Sequence, residues 1–256
     1  MGLLVKQKDI VVPGEVLADS IDYLPGMHTY RLNNNIIAKR VGLVEIEGRA
    51  LKLIPVSGRY LPKVGDKIIA KVVDITMSGW MLNINSAYNA MLNSKDIMRF
   101  VRKGEDLTRY HDVGDYLKVK IFNVTSQNLV DVTMKEPGLS PLHGGRIVMI
   151  NPQKVPRVIG KMGSMVMMIK DKTKCLVNVG QNGVVWIKGP APEAEFVAIK
   201  AIKKIEDEAH LEGLTDRMTQ FLDVECAHLQ GLKSETQEEE PRETFQSFQR
   251  SQEREE

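Results

Sequence analysis

Residues 159–164 read Ile159-Gly160-Lys161-Met162-Gly163-Ser164, and their types and spacing point to contact with a polyanion. Two glycines separated by two residues let a backbone turn pass close to a sugar-phosphate chain without Cβ clashes. A helix beginning at Ser164 would aim its free N–H groups and the positive end of its dipole at phosphates. Lys161 adds a mobile positive charge within the turn, and Arg157 lies one helical turn upstream. By itself Gly-x-x-Gly is more often a plain turn. The elements around it decide the reading.

Those elements follow a definite order. Arg146–Ile150 reads as a strand and Pro152–Ile159 as a short helix, with Pro152 placed after Asn151 where a helix can begin. The glycine turn leads to a second helix, Ser164–Lys172. Leu176–Val179 and Val184–Lys188 read as strands joined by a Gly180-to-Gly183 turn. From Pro192 onward Ala194, Val197, Ala198, Ala201, Ile202, Ile205 and Ala209 recur at helical spacing, so one face of a long helix is core. Leu214–Leu229 repeats the pattern as a further helix. Charge follows the same boundaries. Residues 144–190 carry eight bases against the single acid Asp171, a net +7, although the whole chain has a formal charge of only +2. Residues 233–256 have eight acids and four bases, little to bury, and the composition of a disordered acidic tail. A basic middle beside an acidic end suggests a polyanion-binding surface confined to one region.

Upstream the chain reads as β structure. Ile36–Lys39, Leu43–Ile46 and Leu51–Pro55 are strand-like and are punctuated by glycine turns. Residues 1–60 thus form a small β barrel or sandwich without a catalytic constellation. Residues 61–137 hold five further short strands: Ile68–Ile75, Trp80–Ile84, Ala90–Leu92, Tyr116–Val124 and Leu129–Met134. Two of them are opened by the repeated Val-Gly-Asp at 64–66 and 113–115. That spacing suggests a small closed barrel. Candidate contacts here are Trp80, in the Ser78-Gly79-Trp80-Met81 turn, together with Lys71, Arg99, Arg102, Lys103 and Arg109. Gly138–Gly145, rich in glycine and proline, reads as a linker, which leaves 144–232 as the third unit with its C-terminal helices.

Several classes of protein are disfavoured. Cys175 and Cys226 belong to no CxxC pair and the five histidines show no ligand spacing, so neither a zinc ribbon nor another metal or cofactor is expected. Gly160-Lys161 is followed by Met162, which lacks the Ser or Thr of a nucleotide-binding P-loop. No compact carboxylate cluster suggests two-metal chemistry, and Asp223 and Glu225 read as a solvated helix face. No apolar run approaches the roughly 18 residues that cross a membrane, and the start is too quickly charged for a secretory signal, so a cytoplasmic location is expected.

The third unit closely resembles a KH domain of βααββα order, in which the Gly-x-x-Gly turn clamps about four nucleotides of single-stranded RNA. Val158, Ile159, Met165, Val166, Met168 and Ile169 would then form its groove floor and core. The second unit resembles an S1-type OB-fold barrel, carried by Val64-Gly65-Asp66, Lys71-Val72, the Ser78–Met81 turn, Val113-Gly114-Asp115 and Lys118–Lys120. It departs from that pattern at Ser78 and Met81, where aromatics are usual, and at Asn93, where a histidine is common. Phosphate tracking by the basic residues is therefore expected more than base stacking. A β domain followed by S1 and one KH resembles the RNA-binding cap subunit of the archaeal exosome, as do Gly58–Asp66, Ser78-Gly79-Trp80 and Ile159–Ser164. The resemblance implies a non-catalytic subunit. Three copies, or copies mixed with a zinc-ribbon cap subunit, would sit on a hexameric ring of RNase PH-like subunits. The N-terminal domain would dock, and S1 and KH would guide a single-stranded 3′ end into the pore. Transcription elongation or antitermination factors of the NusA type are a rival, but they carry two KH units of the other topology. A nuclease in its own right would need a catalytic core for which this chain has no room. Replacing Gly160 and Lys161 with Asp is expected to weaken RNA binding while sparing the fold.

Overall fold

The structure, a computed structural model, describes residues 2–99, 101–102, 104–209 and 213–238, with side chains through residue 227. Among them lie three hydrophobic cores in chain order. The first is enclosed by β1 (Ile10–Val11), β2 (Val16–Asp19), β3 (Leu24–Pro25), β4 (Thr29–Leu32), β5 (Asn35–Ala38), β6 (Gly42–Glu47) and β7 (Ala50–Pro55). These strands make a sheet of order β1-β6-β7-β3 and another of order β2-β5-β4. Alternation along β7 turns Leu51 and Leu53 inward, against Leu17, Ile36 and Val44. Lys52 stays on the outer side and pairs with Glu45, the residue facing it on β6. Thr29 Oγ1 donates to Leu51 O at 3.0 Å, stitching the two sheets together.

The second core fills a closed five-stranded barrel. Its strands are β8 (Lys67–Thr76), β9 (Gly79–Asn83), β10 (Asn89–Asn93), β11 (Tyr116–Val124) and β12 (Val130–Thr133). The order β12-β10-β9-β8-β11 closes because β12 also pairs with β11. Bulges between Val72 and Asp74 on β8, and between Ile121 and Asn123 on β11, supply the bends that closure needs. Tyr60, from the stretch before the barrel, is buried, and its hydroxyl donates to Asp66 Oδ2 at 2.5 Å. Burial, then that carboxylate, pushes the phenol above its ordinary range, so it stays protonated and clamps the Val64-Gly65-Asp66 turn. The expected linker is different from a free tether. Pro141–Leu142 forms β13, which pairs with Tyr116 and Leu117 of β11, while Leu139 and Leu142 are buried. The leucines inside the glycine- and proline-rich stretch anchor it to the barrel wall.

The third core lies between a sheet and helices. β14 (Arg146–Met149), β15 (Leu176–Val179) and β16 (Val184–Lys188) form an antiparallel sheet of order β14-β16-β15. The helices are α1 (Val155–Ile159, entered through a 3-10 turn at Pro152–Lys154), α2 (Ser164–Thr173), α3 (Pro192–Asp207) and α4 (Leu214–Glu238). Asn151 Oδ1 accepts from Gln153 N at 3.0 Å and so starts the first turn. All seven apolar positions expected on the face of α3 and just beyond it are buried. α4 runs on through Glu238, six residues into the stretch expected to be disordered, and the remainder of that stretch lies outside the described residues.

The sheet does not hang from the barrel by a tether. Its turn between β15 and β16 is driven into the barrel wall. Asn182 is fully buried, and its Nδ2 donates to Ile69 O at 2.7 Å and to Ile84 O at 2.9 Å. Asn85 Nδ2 donates back to Asn182 O at 2.9 Å, and Gln181 N donates to Lys67 O at 3.0 Å. Around these bonds Ile69, Leu142, Val184 and Trp186 make a fourth apolar cluster shared by barrel and sheet.

Candidate nucleic-acid interface

The turn between α1 and α2 adopts the conformations its glycines permit. Gly160 has φ +74° and ψ 173°, and Gly163 sits at φ +82° in the left-handed region immediately before Ser164. Met162 is also left-handed, at φ 52°, with its side chain 94% exposed. The two glycines are not equivalent. A Cβ on Gly160 would lie 2.8 Å from the backbone nitrogen of Met165, whereas one on Gly163 meets nothing within 4 Å. Gly160 is closed by its own helix, and Gly163 faces open space through which another backbone could approach. This corrects the expectation that Asp at 160 would spare the fold. The exposed position is 163.

Basic residues in this unit divide by partner. Arg146 pairs with Glu195 at 3.0 Å, Lys172 with Asp223, Lys154 donates to Glu206 O and Lys188 to His143 O. Arg157, Lys161, Lys170 and Lys174 make no ion pair with the described residues, and Arg157, Lys161 and Ser164 are exposed. The charges around the turn are therefore the ones left uncommitted. Below it Val158, Met165 and Ile169 are core, while Ile159, Val166 and Met168 are half-buried and pack against that core from outside. Asp223 and Glu225, read as a solvated helix face, hold Lys172 and Lys200.

The barrel candidates fare unevenly. Arg99, Arg102 and Arg109 are exposed on the 94–111 loop, where Arg99 lines a pocket of about 270 Å³ with Met98, Tyr110, His111 and His143. Burial holds His111 below its ordinary pKa, which leaves its ring neutral at pH 7. Lys103 lies outside the described residues. Lys71 is exposed on β8, its ammonium 5.9 Å from the centre of the Tyr116 ring. Trp80 has to be corrected. It is fully buried, its Nε1 donates to His111 O at 2.9 Å, and it packs edge-on to the His111 ring at 5.3 Å. No face is free to stack on a base. The signal was present in the sequence: Trp80 shares its parity with Leu82 and Ile84, both fully buried. Gly79 before it allows the close approach of β10, since a Cβ there would lie 2.0 Å from Leu92 O. Because Trp186, the other tryptophan, is also buried, saturating the chain with an oligoadenylate should leave its intrinsic tryptophan emission unchanged. Strong quenching in a fluorescence titration would contradict this placement.

An OB-like closed barrel followed by a KH unit with an open, cationic Gly-x-x-Gly turn defines an RNA-binding protein. Known proteins agree: a family described as the exosome complex exonuclease RRP4 N-terminal region matches residues 10–47, and the KH domain family matches residues 146–206. The exosome complex component Rrp4 of Methanothermobacter thermautotrophicus is 42% identical over 238 residues, covering 93% of this chain and 74% of that protein. Its counterpart in Thermococcus kodakarensis is 43% identical over 226 residues, covering 86% and 87%. The chain belongs to the Rrp4 family of exosome components. A solved structure described as a candidate exosome complex RNA-binding protein superposes with a TM-score of 0.60 at 34% identity, over 66% of this chain and 97% of that one.

Proposed function

We propose that this exosome component is a non-catalytic cap. In this reading it sits on a hexameric ring of RNase PH-like phosphorolytic subunits with other copies of itself or with a zinc-ribbon cap subunit. It captures single-stranded RNA and feeds the 3′ end into the ring, in the cytoplasm. The observation that carries the RNA-capturing part is the Gly160–Gly163 turn, where Lys161 is exposed, makes no ion pair with the described residues, and lies two residues before a glycine with open space in front of it. Electrostatic capture of this kind gives fast association and an affinity that falls as salt rises. Docking through the N-terminal unit is supported by exposed apolar residues there, among them Ile10, Ile21, Leu24 and Leu32.

The purified chain is expected to bind single-stranded polyadenylate weakly and to release no nucleotide, with or without inorganic phosphate. Mixed with the ring subunits it should co-migrate with them and raise their rate on long RNA. Nucleotide release by the isolated chain, tracking with it through purification, would refute the non-catalytic assignment. Failure to co-migrate with the ring would refute the cap.

A further inference from the structure

The pocket of about 270 Å³ beside the barrel is walled by segments that bonds elsewhere hold in place. Residues 97–99 follow the 3-10 turn Ser94–Asp96, whose Asp96 O accepts from Met134 N at 2.8 Å and from Thr133 Oγ1 at 3.2 Å. Residues 110–111 follow the 3-10 turn Leu107–Arg109, which starts where Asp106 Oδ1 accepts from Thr108 N at 3.0 Å. Trp80, itself closed to stacking, grips His111 O. Residues 139–143 include β13, paired with β11, and His143 O accepts from Lys188 Nζ at 3.1 Å. Walls set before a ligand arrives lose little freedom when it enters.

The lining has the chemistry of a site for a flat ring. Tyr110 and the imidazoles of His111 and His143 supply aromatic surface, and Met98 and Met134 supply thioethers, which pack well on rings. Met134 is core while Met98, although apolar, is 69% exposed, so the lining runs from the barrel interior out to solvent. The Tyr110 ring is oriented by its hydroxyl, which donates to Glu105 Oε2 at 3.1 Å. Pockets for drug-sized ligands begin at about 300 Å³, so this one suits a single base with its sugar and phosphate outside.

His111 adds an independent observation. It is only 8% exposed, and its Nδ1 is sealed from solvent with no hydrogen-bond partner. A sealed nitrogen is better left as a bare acceptor than as an orphaned N–H, which places the neutral ring's proton on Nε2. Nε2 makes no hydrogen bond with the described residues and is not sealed, so a ring lining the pocket offers one unclaimed donor. Adenine N7 or uracil O4 would accept from it. Arg99, exposed in the same lining, makes no ion pair with the described residues and supplies a cation for the phosphate outside.

We propose that this pocket takes one unstacked base of the captured RNA, packed along Tyr110 and Met98, with an edge acceptor on His111 Nε2 and the attached phosphate at Arg99. The proposal rests on the chain capturing single-stranded RNA.

The test combines ultraviolet crosslinking with fluorescence anisotropy of the full chain, using a uridylate of about twelve nucleotides, within the span of one such barrel. Digestion after irradiation should recover crosslinks on the peptides that carry Met98 or Tyr110. Met98→Ala with Tyr110→Ala should weaken binding by about tenfold, the scale of one stacked base, and leave the slope of log K against log salt unchanged. Arg99→Gln should instead flatten that slope by about 0.7, one phosphate contact on a single strand. Crosslinks absent from the Met98 and Tyr110 peptides refute the pocket. So does an alanine pair that folds and binds as the parent does, or one whose loss comes with a flatter slope. The crosslink is read on the unaltered chain and stands even if the alanine pair loses stability. If the unaltered chain captures no RNA, the reading beneath the pocket fails. If it captures RNA and only the pocket signals are missing, the pocket alone falls.

Discussion

Lys161→Asp combined with Gly163→Asp should lower the affinity of the full chain for single-stranded RNA by at least about tenfold, each tenfold being about 1.4 kcal/mol. The pair removes one positive charge and adds two negative ones where the backbone is open to a partner. Aspartate tolerates a left-handed conformation better than most residues, so the φ of +82° at position 163 costs only about 1 kcal/mol. Melting temperature and circular dichroism should therefore stay near those of the parent. Gly160→Asp is the contrasting variant. Its side chain would collide with the first turn of α2 at Met165, so it should lose stability as well as binding. Filter binding at fixed salt separates the two. Parental affinity in the folded 161/163 variant would mean that the turn does not meet RNA.

The larger structural effect is expected at Asn182. Truncation to alanine leaves Ile69 O and Ile84 O buried without their donor, at about 1–3 kcal/mol for each unsatisfied group. A loss of about 2–4 kcal/mol follows, allowing for partial relaxation and water entry. Asn182→Asp should cost at least as much, because it faces two carbonyls with a carboxylate and buries a charge. Urea denaturation followed through Trp186, which belongs to the junction cluster, should show the transition moving to lower denaturant. A shift within experimental error would mean that the barrel and the sheet are not locked by this side chain. Lys118 Nζ, which donates to Asn178 Oδ1 at 2.8 Å, is a second polar link across the same junction.

The two variants probe parts of the molecule that differ in how far they could be read from the chain. The Gly160–Gly163 turn was legible because glycine identity restricts which backbone conformations are cheap, and both glycines adopt positive φ as that chemistry implies. The strand–helix–turn–helix–strand–strand–helix order was legible for a related reason. Periods of 2 and 3.6 are local properties, and Ala194 to Ala209 mark their face without reference to anything else. The junction had no such signal. Asn182 looks like any polar residue in a glycine turn, and its partner Ile69 is 113 residues away. Glu136, which pairs with Lys120 and lies 4.0 Å from Lys67, is likewise assigned only by the folded chain.

By itself, then, the sequence determined the strands of the barrel and the strands and helices of the third unit, but only three of the seven strands described in residues 1–60, and that the basic charge gathers in residues 144–190. Tertiary structure alone decided that Asn182 locks the sheet to the barrel, that Pro141–Leu142 joins the barrel wall, and which of the basic residues are held by carboxylates. The physical reason is range. Backbone preference and periodicity act over a few residues. Which charges are neutralised, and which side chains are sealed from water, depends on closing the barrel and docking the sheet against it, and those contacts join positions too far apart for any local pattern to encode.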